Sequence, residues 1–280
     1  MNYQLALLAQ DMHNSVLPQA YSFFAKQLGI EIDFQICNVA EQDFLPAVQE
    51  FRKTLHGFTV TMPYKVRMTA LCNTLDASAQ ACGSVNTVLV KDGQLTGFNT
   101  DGWGMMKCLQ LKGVSFAGKR VVMVGAGGVA RSIAYQLSVS GAARVDVLNI
   151  YEQETAALTE KMGPLFFGHP LDSQTLRACA PQADLFINAS VLGQVGFSDY
   201  DDLSFLDMLP KHAVVFDVNY SNPAAKLPIA AHAAGLPVYI GNTMSACQGV
   251  RAMQIWTGRA PSDEAAKALA QDIEAKWSAG

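Results

Sequence analysis

The middle of the chain reads Val121-Val-Met-Val-Gly125-Ala-Gly127-Gly128-Val-Ala130, an apolar run followed by a turn with three glycines and two alanines. A continuous apolar, β-branched run is typical of a strand that is buried on both faces of a parallel sheet. Residues 129–140 continue with a helical pattern, so the glycines lie between a strand and a helix. This combination predicts a dinucleotide-binding βαβ unit.

Each small residue of the turn has a physical reason to be there. Gly125 permits the tight turn, Gly127 lacks a Cβ that would block a pyrophosphate, and Ala130 lets the helix approach the strand. The N–H groups that begin the helix can then bind an anion. An ordinary glycine-rich turn is the alternative, but the flanking strand and helix favour the dinucleotide site.

The choice between NAD and NADP is expected at the end of the next strand, which reads Asn149-Ile150-Tyr151-Glu152. A 2′-phosphate requires a cation, whereas a free ribose hydroxyl prefers an acidic acceptor. No basic residue follows this strand before Lys161. A carboxylate at Glu152 about 4 Å from a phosphate would cost roughly 1–4 kcal/mol. The sequence therefore favours NAD, with NADP possible; alternatively, Glu152 is only a solvated residue at the start of a helix.

Strand and helix patterns alternate on both sides of residues 105–113, which predicts two α/β domains with a cleft between them. The expected strands are residues 5–8, 31–37, 57–60, 121–124, 144–148, 184–189 and 213–218. The expected helices are residues 18–28, 41–55, 103–111, 129–140 and 262–277. Ser262 is a candidate cap of the last helix, and Leu269, Ile273 and Trp277 share one of its faces.

Composition excludes several classes of function. The chain is 50% hydrophobic and only 16% charged, so we expect a large buried core. Its net charge of −4 argues against nucleic-acid and membrane-surface binding, because both require a basic surface. The six cysteines form no C-x-x-C pair, and no secretory signal or membrane-spanning stretch is evident. We therefore expect a cytoplasmic protein.

Motifs for other chemistries are missing. The five histidines, among them His13 and His169, show no H-x-x-x-H spacing, so we expect no metal site. The G-x-S-x-G motif of serine hydrolases is also absent.

Polar clusters follow apolar segments in the first part of the chain. They are Thr61-Met-Pro63-Tyr-Lys65, Gly83-Ser-Val-Asn86-Thr87 and Asn99-Thr100-Asp101. Polar residues at strand ends are how α/β sheets build their sites, and a paired Lys65 and Asp101 could relay a proton. Alternatively, Lys65 is a surface lysine and Asp101 caps the helix that follows it. Spacing alone does not decide between these interpretations.

Taken together and in order, these segments resemble the shikimate dehydrogenase family. The first-domain matches are Thr59-Val-Thr61-Met-Pro63-Tyr-Lys65, Ser84-Val-Asn86-Thr87 and Asn99-Thr100-Asp101. The later matches are Gly125-Ala-Gly127-Gly128, Ile187-Asn188-Ala189-Ser190, Asp217-Val-Asn-Tyr220, Gly241, Met244, Gln248-Gly249 and Trp256-Thr-Gly258. The resemblance implies a mixed-sheet substrate-binding domain at residues 1–104 and a Rossmann NAD(P)-binding domain at residues 105–240. It also implies C-terminal helices at residues 241–280 that return to the first domain.

The resemblance implies NAD(P)-dependent hydride transfer between shikimate, or a related cyclic hydroxy acid such as quinate, and its 3-dehydro ketone. Lys65 and Asp101 would be the catalytic pair. The implied substrate-binding residues are Ser15, Thr61, Asn86, Tyr220 and Gln248. The implied cofactor-binding residues are Gly125, Ala126, Gly127, Gly128, Val129, Asn149, Glu152, Ala189, Val218, Gly241 and Met244. A monomer or homodimer is expected.

Three departures from the family pattern indicate a divergent member. Ser15-Val-Leu17-Pro stands where the family has S-x-S-P, whose two hydroxyls hold the substrate carboxylate; His13 or Asn14 is a candidate replacement donor. Thr59 replaces an asparagine, and Asn149-Ile150-Tyr151 replaces the N-R-T of NADP-using members. The substrate is therefore open among shikimate, quinate, an aminoshikimate and other cyclic polyol acids. A catalytically weak ligand sensor and an unrelated Rossmann enzyme are the alternative interpretations.

Overall fold

The computed structural model describes residues 2–12 and 15–278, with the side chains of residues 276–278 left aside. The chain forms two compact units, of which the first comprises Met1–Gly104 and Ser245–Gly280 and the second comprises Met105–Met244. From the sequence, the C-terminal segment that returns to the first domain is expected to begin at Gly241. In the structure, the part of the C-terminal segment that belongs to the first unit begins at Ser245. The functional roles of the two units remain predictions.

Strands and helices alternate along the described chain. The strands are β1 (Asn2–Ala9), β2 (Glu31–Asn38), β3 (Gly57–Val60), β4 (Thr74–Leu75), β5 (Thr87–Lys91), β6 (Gln94–Phe98), β7 (Arg120–Val124), β8 (Arg144–Asn149), β9 (Phe166–Pro170), β10 (Leu185–Asn188), β11 (Val214–Asp217) and β12 (Val238–Ile240). The helices are α1 (Leu17–Leu28), α2 (Phe44–Thr54), α3 (Tyr64–Arg67), α4 (Ala77–Cys82), α5 (Asp101–Leu111), α6 (Gly128–Val139), α7 (Glu152–Met162), α8 (Ser173–Cys179), α9 (Lys226–Ala233), α10 (Gly241–Thr257) and α11 (Asp263–Ser278).

The first unit contains a mixed sheet. The strand order is β2-β1-β3-β5-β6-β4, in which β2, β1 and β3 are parallel and β5 is antiparallel to both of its neighbours. Phe44, Val48 and Phe51 of α2 pack with Phe58 and Tyr64 in its core. The amphipathic spacing of the α2 residues explains why this helix lies on the sheet.

The C-terminal segment belongs to the first unit, as the fold prediction stated. The indole N–H of Trp256 donates to the Val88 carbonyl at 2.9 Å, and the indole occupies the space that a Cβ on Gly57 would need. Ser262 caps α11 by accepting from the Ala265 N–H at 3.2 Å, and Leu269 and Ile273 are buried. The side chain of Trp277 lies outside the described residues.

The second unit contains a parallel sheet. The strand order is β12-β11-β10-β7-β8-β9, which is the doubly wound Rossmann order with β7 and β10 at its centre. Its core includes Val122, Leu148, Phe186, Phe205 and Val215. The α/β fold class expected from the sequence, a mixed-sheet unit and a Rossmann unit, is confirmed.

Two expected helices begin differently in the structure. Residues 41–55 divide into a 3₁₀ turn, Glu41–Asp43, and the helix α2. Pro46 lies in the first turn of α2, where a proline is tolerated because the N–H groups of that turn have no partner within the helix. The helix expected at residues 103–111 begins at Asp101, and the Thr100 carbonyl accepts its first intrahelical bond from the Gly104 N–H. Thr100 therefore has the capping position that was considered for Asp101.

In the described part of the chain, no helix combines the length and the apolar character that crossing a membrane requires.

Candidate active site

Four chain segments reach the same edge of the mixed sheet. β1 and β3 are parallel, so the residues that follow Ala9 and Val60 lie at one edge. β5 runs antiparallel to β3 and β6 antiparallel to β5, which brings Asn86 and Asn99 to that same edge. Three backbone hydrogen bonds hold the edge together: Thr61 N–H to Leu8 O at 3.1 Å, Val60 N–H to Asn86 O at 2.8 Å, and Asn86 N–H to Phe98 O at 3.0 Å.

Lys65 and Asp101 form an ion pair at this edge. The Lys65 ammonium lies 3.0 Å from Oδ2 and 3.3 Å from Oδ1 of Asp101. The side chain of Asp101 is 5% exposed and that of Lys65 is 22% exposed, so the carboxylate is almost fully buried and the lysine side chain is partly accessible from outside the protein. The structure therefore has the paired arrangement that spacing alone left open.

Two amide side chains complete the surroundings of the Asp101 carboxylate. Nδ2 of Asn86 donates to Oδ1 at 2.8 Å, and Nε2 of Gln248 donates to the same oxygen at 3.0 Å. Gln248 lies on α10, whereas Asn86 precedes β5. A buried carboxylate is costly unless hydrogen bonds replace its hydration, and here three side chains supply them. Lys65, Asn86, Asp101 and Gln248 thus form one polar cluster, which we call the Asp101 cluster.

Sequence reasoning assigned no role to the residues that orient the Asp101 cluster. Oδ1 of Asn86 accepts from the Thr100 N–H at 2.9 Å and from the Thr87 hydroxyl at 3.0 Å, so Nδ2 must face Asp101. Oδ1 of Asn99 accepts from the Asp101 N–H at 3.1 Å. The pairs Asn86-Thr87 and Asn99-Thr100 at strand ends were the available signal, because such side chains commonly bond the nearby backbone.

The other expected substrate residues of the first unit, Thr61 and Ser15, come after β3 and β1 in the chain. Thr61 follows β3 and is partly buried. The Ser15 hydroxyl accepts from the Leu17 N–H at 3.2 Å, where α1 begins, and both side chains are partly buried. Thr59 is buried, and its hydroxyl lies 3.5 Å from the Ala6 carbonyl. His13 and Asn14, which were considered as replacement donors, lie outside the described residues.

The glycine turn of the second unit has the geometry that its sequence predicts. Gly125 has a φ of +108°, and a Cβ there would lie 2.7 Å from the Ala189 carbonyl oxygen, so both conformation and space require glycine. A Cβ on Gly127 or Gly128 would meet no atom within 4 Å. These two glycines are exposed where α6 begins, so no side chain of the turn covers the first N–H groups of the helix. The turn therefore fits a pyrophosphate group.

The remaining expected cofactor residues follow the carboxyl ends of neighbouring parallel strands. Ala126 and Val129 come after β7, Asn149 ends β8 and Glu152 comes after it, Ala189 comes after β10, Val218 after β11, and Gly241 and Met244 after β12. Gly241 is held against the Val218 carbonyl, where a Cβ would overlap it. Parallel α/β sheets bind their ligands at this edge, near the switch point between β7 and β10. Tyr220, expected near the substrate, also follows β11 and is 43% exposed.

One basic residue lies beside the glycine turn. Arg131 lies in the first turn of α6, and its Nε donates to the Ala126 carbonyl at 3.3 Å. The expectation of NAD considered only the residues after β8, where Ile150 is 67% exposed and Glu152 is also exposed. Arg131 thus places a positive charge beside the glycine turn, outside the residues after β8 on which the prediction of NAD rests.

Comparisons with known proteins identify the family of this chain. The family model described as "Shikimate dehydrogenase substrate binding domain" matches residues 7–88. Shikimate dehydrogenase (NADP(+)) from Alkaliphilus metalliredigens is 33% identical over 261 residues, which cover 91% of each chain. This chain belongs to the shikimate dehydrogenase family. Family membership confirms the predicted enzyme class, an NAD(P)-dependent dehydrogenase that acts on CH–OH groups.

Two solved structures extend the comparison. Shikimate 5-dehydrogenase from Listeria monocytogenes, in complex with shikimate and NAD, has a TM-score of 0.85 and 27% identity, covering 96% of both chains. The ligand-free 5-ketofructose reductase of Gluconobacter sp. strain CHM43 has a TM-score of 0.84 and 26% identity, covering 98% of this chain and 99% of its own. The fold of the shikimate dehydrogenase family is therefore also found in a protein named for a different ketone.

A buried aspartate ties together two loops at the predicted cofactor edge of this family member. Oδ1 of Asp217 accepts from Nδ2 of Asn188 and from the Asn219 N–H, each at 3.0 Å. Nδ2 of Asn219 donates to the carbonyls of Ser190 and Leu192 at 3.0 Å. Burial raises the pKa of the Asp217 carboxyl to about 7, although the bonds from Asn219 and Asn188 oppose the shift. The nearby Asp199 carboxylate raises it further.

Asp217→Asn should reduce the pH dependence of stability. Folded Asp217 keeps its proton up to about pH 7, whereas the unfolded residue loses it near pH 4, so its contribution to stability falls as pH rises between these values. In the wild type this should lower the free energy of unfolding by about 2–3 kcal/mol between pH 5 and pH 8. Urea unfolding across that range checks the prediction.

Asp201→Asn, at an exposed aspartate of the same unit, is the control for removing one carboxylate. An equal pH slope in the wild type and Asp217→Asn would contradict the raised pKa.

Proposed function

We propose that this chain interconverts shikimate, or a closely related polyhydroxylated ring compound, and its 3-dehydro ketone. The observation that carries the proposal is the Lys65 ammonium held on the Asp101 carboxylate by contacts of 3.0 and 3.3 Å. Similarity to proteins named shikimate dehydrogenase supports the substrate class. The retained ion pair favours an enzyme over the ligand-sensing alternative, because binding alone does not require a proton donor.

Lys65 is proposed as the proton donor. A bound nicotinamide dinucleotide supplies the hydride in reduction and accepts it in oxidation. When the carbonyl carbon receives a hydride, its oxygen becomes an alkoxide that needs a proton, and the Lys65 ammonium provides one. In the reverse direction the neutral amine takes the proton of the alcohol. The partial exposure of Lys65 lets solvent restore its protonation state.

Asp101 is proposed to orient the lysine and to accept a hydrogen bond from a substrate hydroxyl. Its Oδ1 already accepts from Asn86, Gln248 and Lys65, whereas Oδ2 contacts Lys65. The amides prevent the carboxylate from rotating, so the ammonium keeps one position. Fixed placement of a proton donor is a main source of the rate gain from acid–base catalysis, which is typically about 10²–10⁴-fold.

Lys65→Met should lower kcat for shikimate oxidation by at least about a hundredfold, because methionine keeps an apolar stem but lacks the amine. The Kd for NAD or NADP should stay unchanged, because the predicted dinucleotide residues belong to the other unit. Absorbance at 340 nm reports turnover and fluorescence titration reports cofactor binding.

Lys53→Met is the matched control, since Lys53 is an exposed lysine of the same unit. Turnover of Lys65→Met at the wild-type rate would refute the assigned role.

The binding of the substrate carboxylate is the feature that fits shikimate least well. The resemblance aligns Ser15 and Leu17 with two hydroxyls that hold this carboxylate, and Leu17 offers no side-chain donor. A hydrogen bond to a charged group is worth about 1.5–3 kcal/mol, so affinity for shikimate should be about ten- to a hundredfold lower than with both hydroxyls. A neutral polyhydroxy ketone is therefore a second candidate substrate, which the likeness to 5-ketofructose reductase supports.

Leu17→Ser should lower KM for shikimate by about tenfold or more, because it supplies a hydroxyl to the carboxylate. KM for 5-ketofructose, which has no carboxylate, should not fall. Steady-state kinetics with shikimate, quinate and 5-ketofructose measure both effects and rank the candidate substrates.

Val16→Ser adds a hydroxyl one residue earlier and serves as the control. An unchanged KM for shikimate in Leu17→Ser would mean that another group already holds the carboxylate, or that Leu17 lies away from it.

NAD is proposed as the preferred cofactor over NADP. Ile150 and Tyr151 are exposed after β8, and the next residue is Glu152, so the segment that follows this strand offers an acid and, through residue 160, no Lys or Arg to a 2′-phosphate. Arg131 is the competing consideration, but its guanidinium contacts the Ala126 carbonyl within the turn. The relatives include proteins named for NADP and a structure with NAD bound, so both cofactors occur in this family.

Ile150→Arg should raise the ratio of kcat/KM for NADP to that for NAD by about tenfold or more, because an arginine at this exposed position can pair with a 2′-phosphate. Initial rates at saturating substrate with each cofactor give the ratio. Val139→Arg, which adds the same charge at another exposed site of the unit, is the control. No change in the ratio would show that the 2′ pocket lies elsewhere.

A further inference from the structure

A second group of chemistry-bearing side chains lies in the Rossmann unit, outside the predicted dinucleotide residues. Asp146 of β8, His169 of β9 and Cys179 at the end of α8 bring a carboxylate oxygen, an imidazole nitrogen and a thiol sulfur within 4.8 Å of one another. Asp146 pairs with Phe167 and Leu148 with His169 in the parallel register, so Asp146 and His169 share one face of the sheet.

These three residues line a cavity of about 100 Å³. Arg120 and Arg144 also line the cavity, and they begin β7 and β8. The cavity therefore lies toward the amino ends of these strands, whereas the glycine turn follows the carboxyl end of β7. Its volume accommodates a metal ion with one or two waters, since a water occupies about 30 Å³ of liquid.

We propose that Asp146, His169 and Cys179 bind a zinc ion. Oxygen, imidazole and thiolate are the three ligand types that zinc takes in proteins, and three protein ligands leave a fourth position open to the cavity. Nε2 of His169 and Oδ1 of Asp146 now share a 2.8 Å hydrogen bond, whereas two ligands on a tetrahedral zinc lie about 3.3 Å apart, so the pair needs to separate by only about half an ångström to hold the ion.

Metal binding would exchange protons for the ion. In the structure Nε2 of His169 and Oδ1 of Asp146 face each other across one hydrogen bond. The proton shared between these two atoms would move to Nδ1 of His169, which frees Nε2 of His169 and Oδ1 of Asp146 to bind zinc. The Cys179 thiol would release its proton to solvent. No oxidation or reduction is involved.

Arg144 supplies the supporting contact that ligating carboxylates usually have. Its Nε lies 2.8 Å from Oδ2 and its Nη2 lies 2.7 Å from Oδ1 of Asp146. The Arg144 guanidinium carbon also lies 3.8 Å from the centre of the Phe167 ring, which keeps it in place. Such outer contacts orient a metal ligand, although the positive charge of Arg144 should limit the affinity for a cation.

A zinc ion here would connect β8, β9 and α8. Because an ion that binds only the folded state stabilises it, zinc should raise the melting temperature of the protein. Dehydrogenase activity should not depend on this site, since none of its ligands belongs to the Asp101 cluster or follows the carboxyl end of a strand next to the glycine turn.

Cobalt(II) is a suitable probe, because a thiolate bound to cobalt gives a charge-transfer absorption band in the near ultraviolet. Full-length, tag-free protein, treated with chelator and dialysed, is titrated with Co²⁺. We expect a band that saturates at a stoichiometric amount of metal, is displaced by Zn²⁺, and is lost in Cys179→Ala. His169→Gln should weaken Co²⁺ binding at least tenfold, and zinc should raise Tm in the wild type but not in Cys179→Ala.

Cys37→Ala is the matched control, because Cys37 is another partly buried free thiol in the first unit. It should keep both the band and the zinc effect on Tm. Absence of the band in folded wild-type protein, or its persistence in Cys179→Ala, would overturn the proposal. Shikimate oxidation measured on the same samples separates this result from the proposed function, since loss of metal binding with full activity affects only the zinc site.

Discussion

The buried carboxylate of Asp101 is the constraint on which the first unit depends. A charged group that is 5% exposed needs partners, and its partners come from three separate places in the chain. Lys65 follows β3, Asn86 precedes β5, and Gln248 lies on α10. Leaving a buried charge unpaired costs several kcal/mol, so these contacts favour the arrangement in which the strand ends and the C-terminal helix come together. The same requirement holds the amine in one place for chemistry.

In the Rossmann unit the predicted binding site depends on the backbone conformation of a glycine turn, whereas in the first unit it depends on a buried charge. At Gly125 the turn passes so close to the Ala189 carbonyl that any side chain would collide. Gly127 and Gly128 carry no side chain where the helix begins, and a Cβ there would meet no atom within 4 Å, which suits the approach of a phosphate to the helix N-terminus. The network from Asp217 through Asn188 and Asn219 then fixes the loops after β10 and β11. Rigid loops on a parallel sheet are a common way to hold a dinucleotide.

Local pattern was sufficient to predict much of the fold. The β-branched run at β7, the glycines after it and the helix α6 follow from residue type alone. One further feature, the β5–β6 hairpin, could also have been predicted from the sequence. The β5–β6 hairpin turns at Asp92-Gly93, whose φ values of +52° and +71° are those of the turn that Asp-Gly favours. Helix starts were less predictable, because whether Thr100 or Asp101 caps α5 depends on bonds to Asn86 and Lys65 from elsewhere in the chain.

By itself the sequence determined the two α/β units, the strand–turn–helix for a dinucleotide, and the candidate lysine and aspartate. These features depend on side-chain type, on periodicity and on short spacings, which neighbouring residues decide. Only the tertiary structure decided that Lys65 meets Asp101, and that Gln248 joins them from far along the chain. It also decided that Asp146, His169 and Cys179 share one cavity. Contacts between distant residues depend on strand order and register, and no local pattern carries that information.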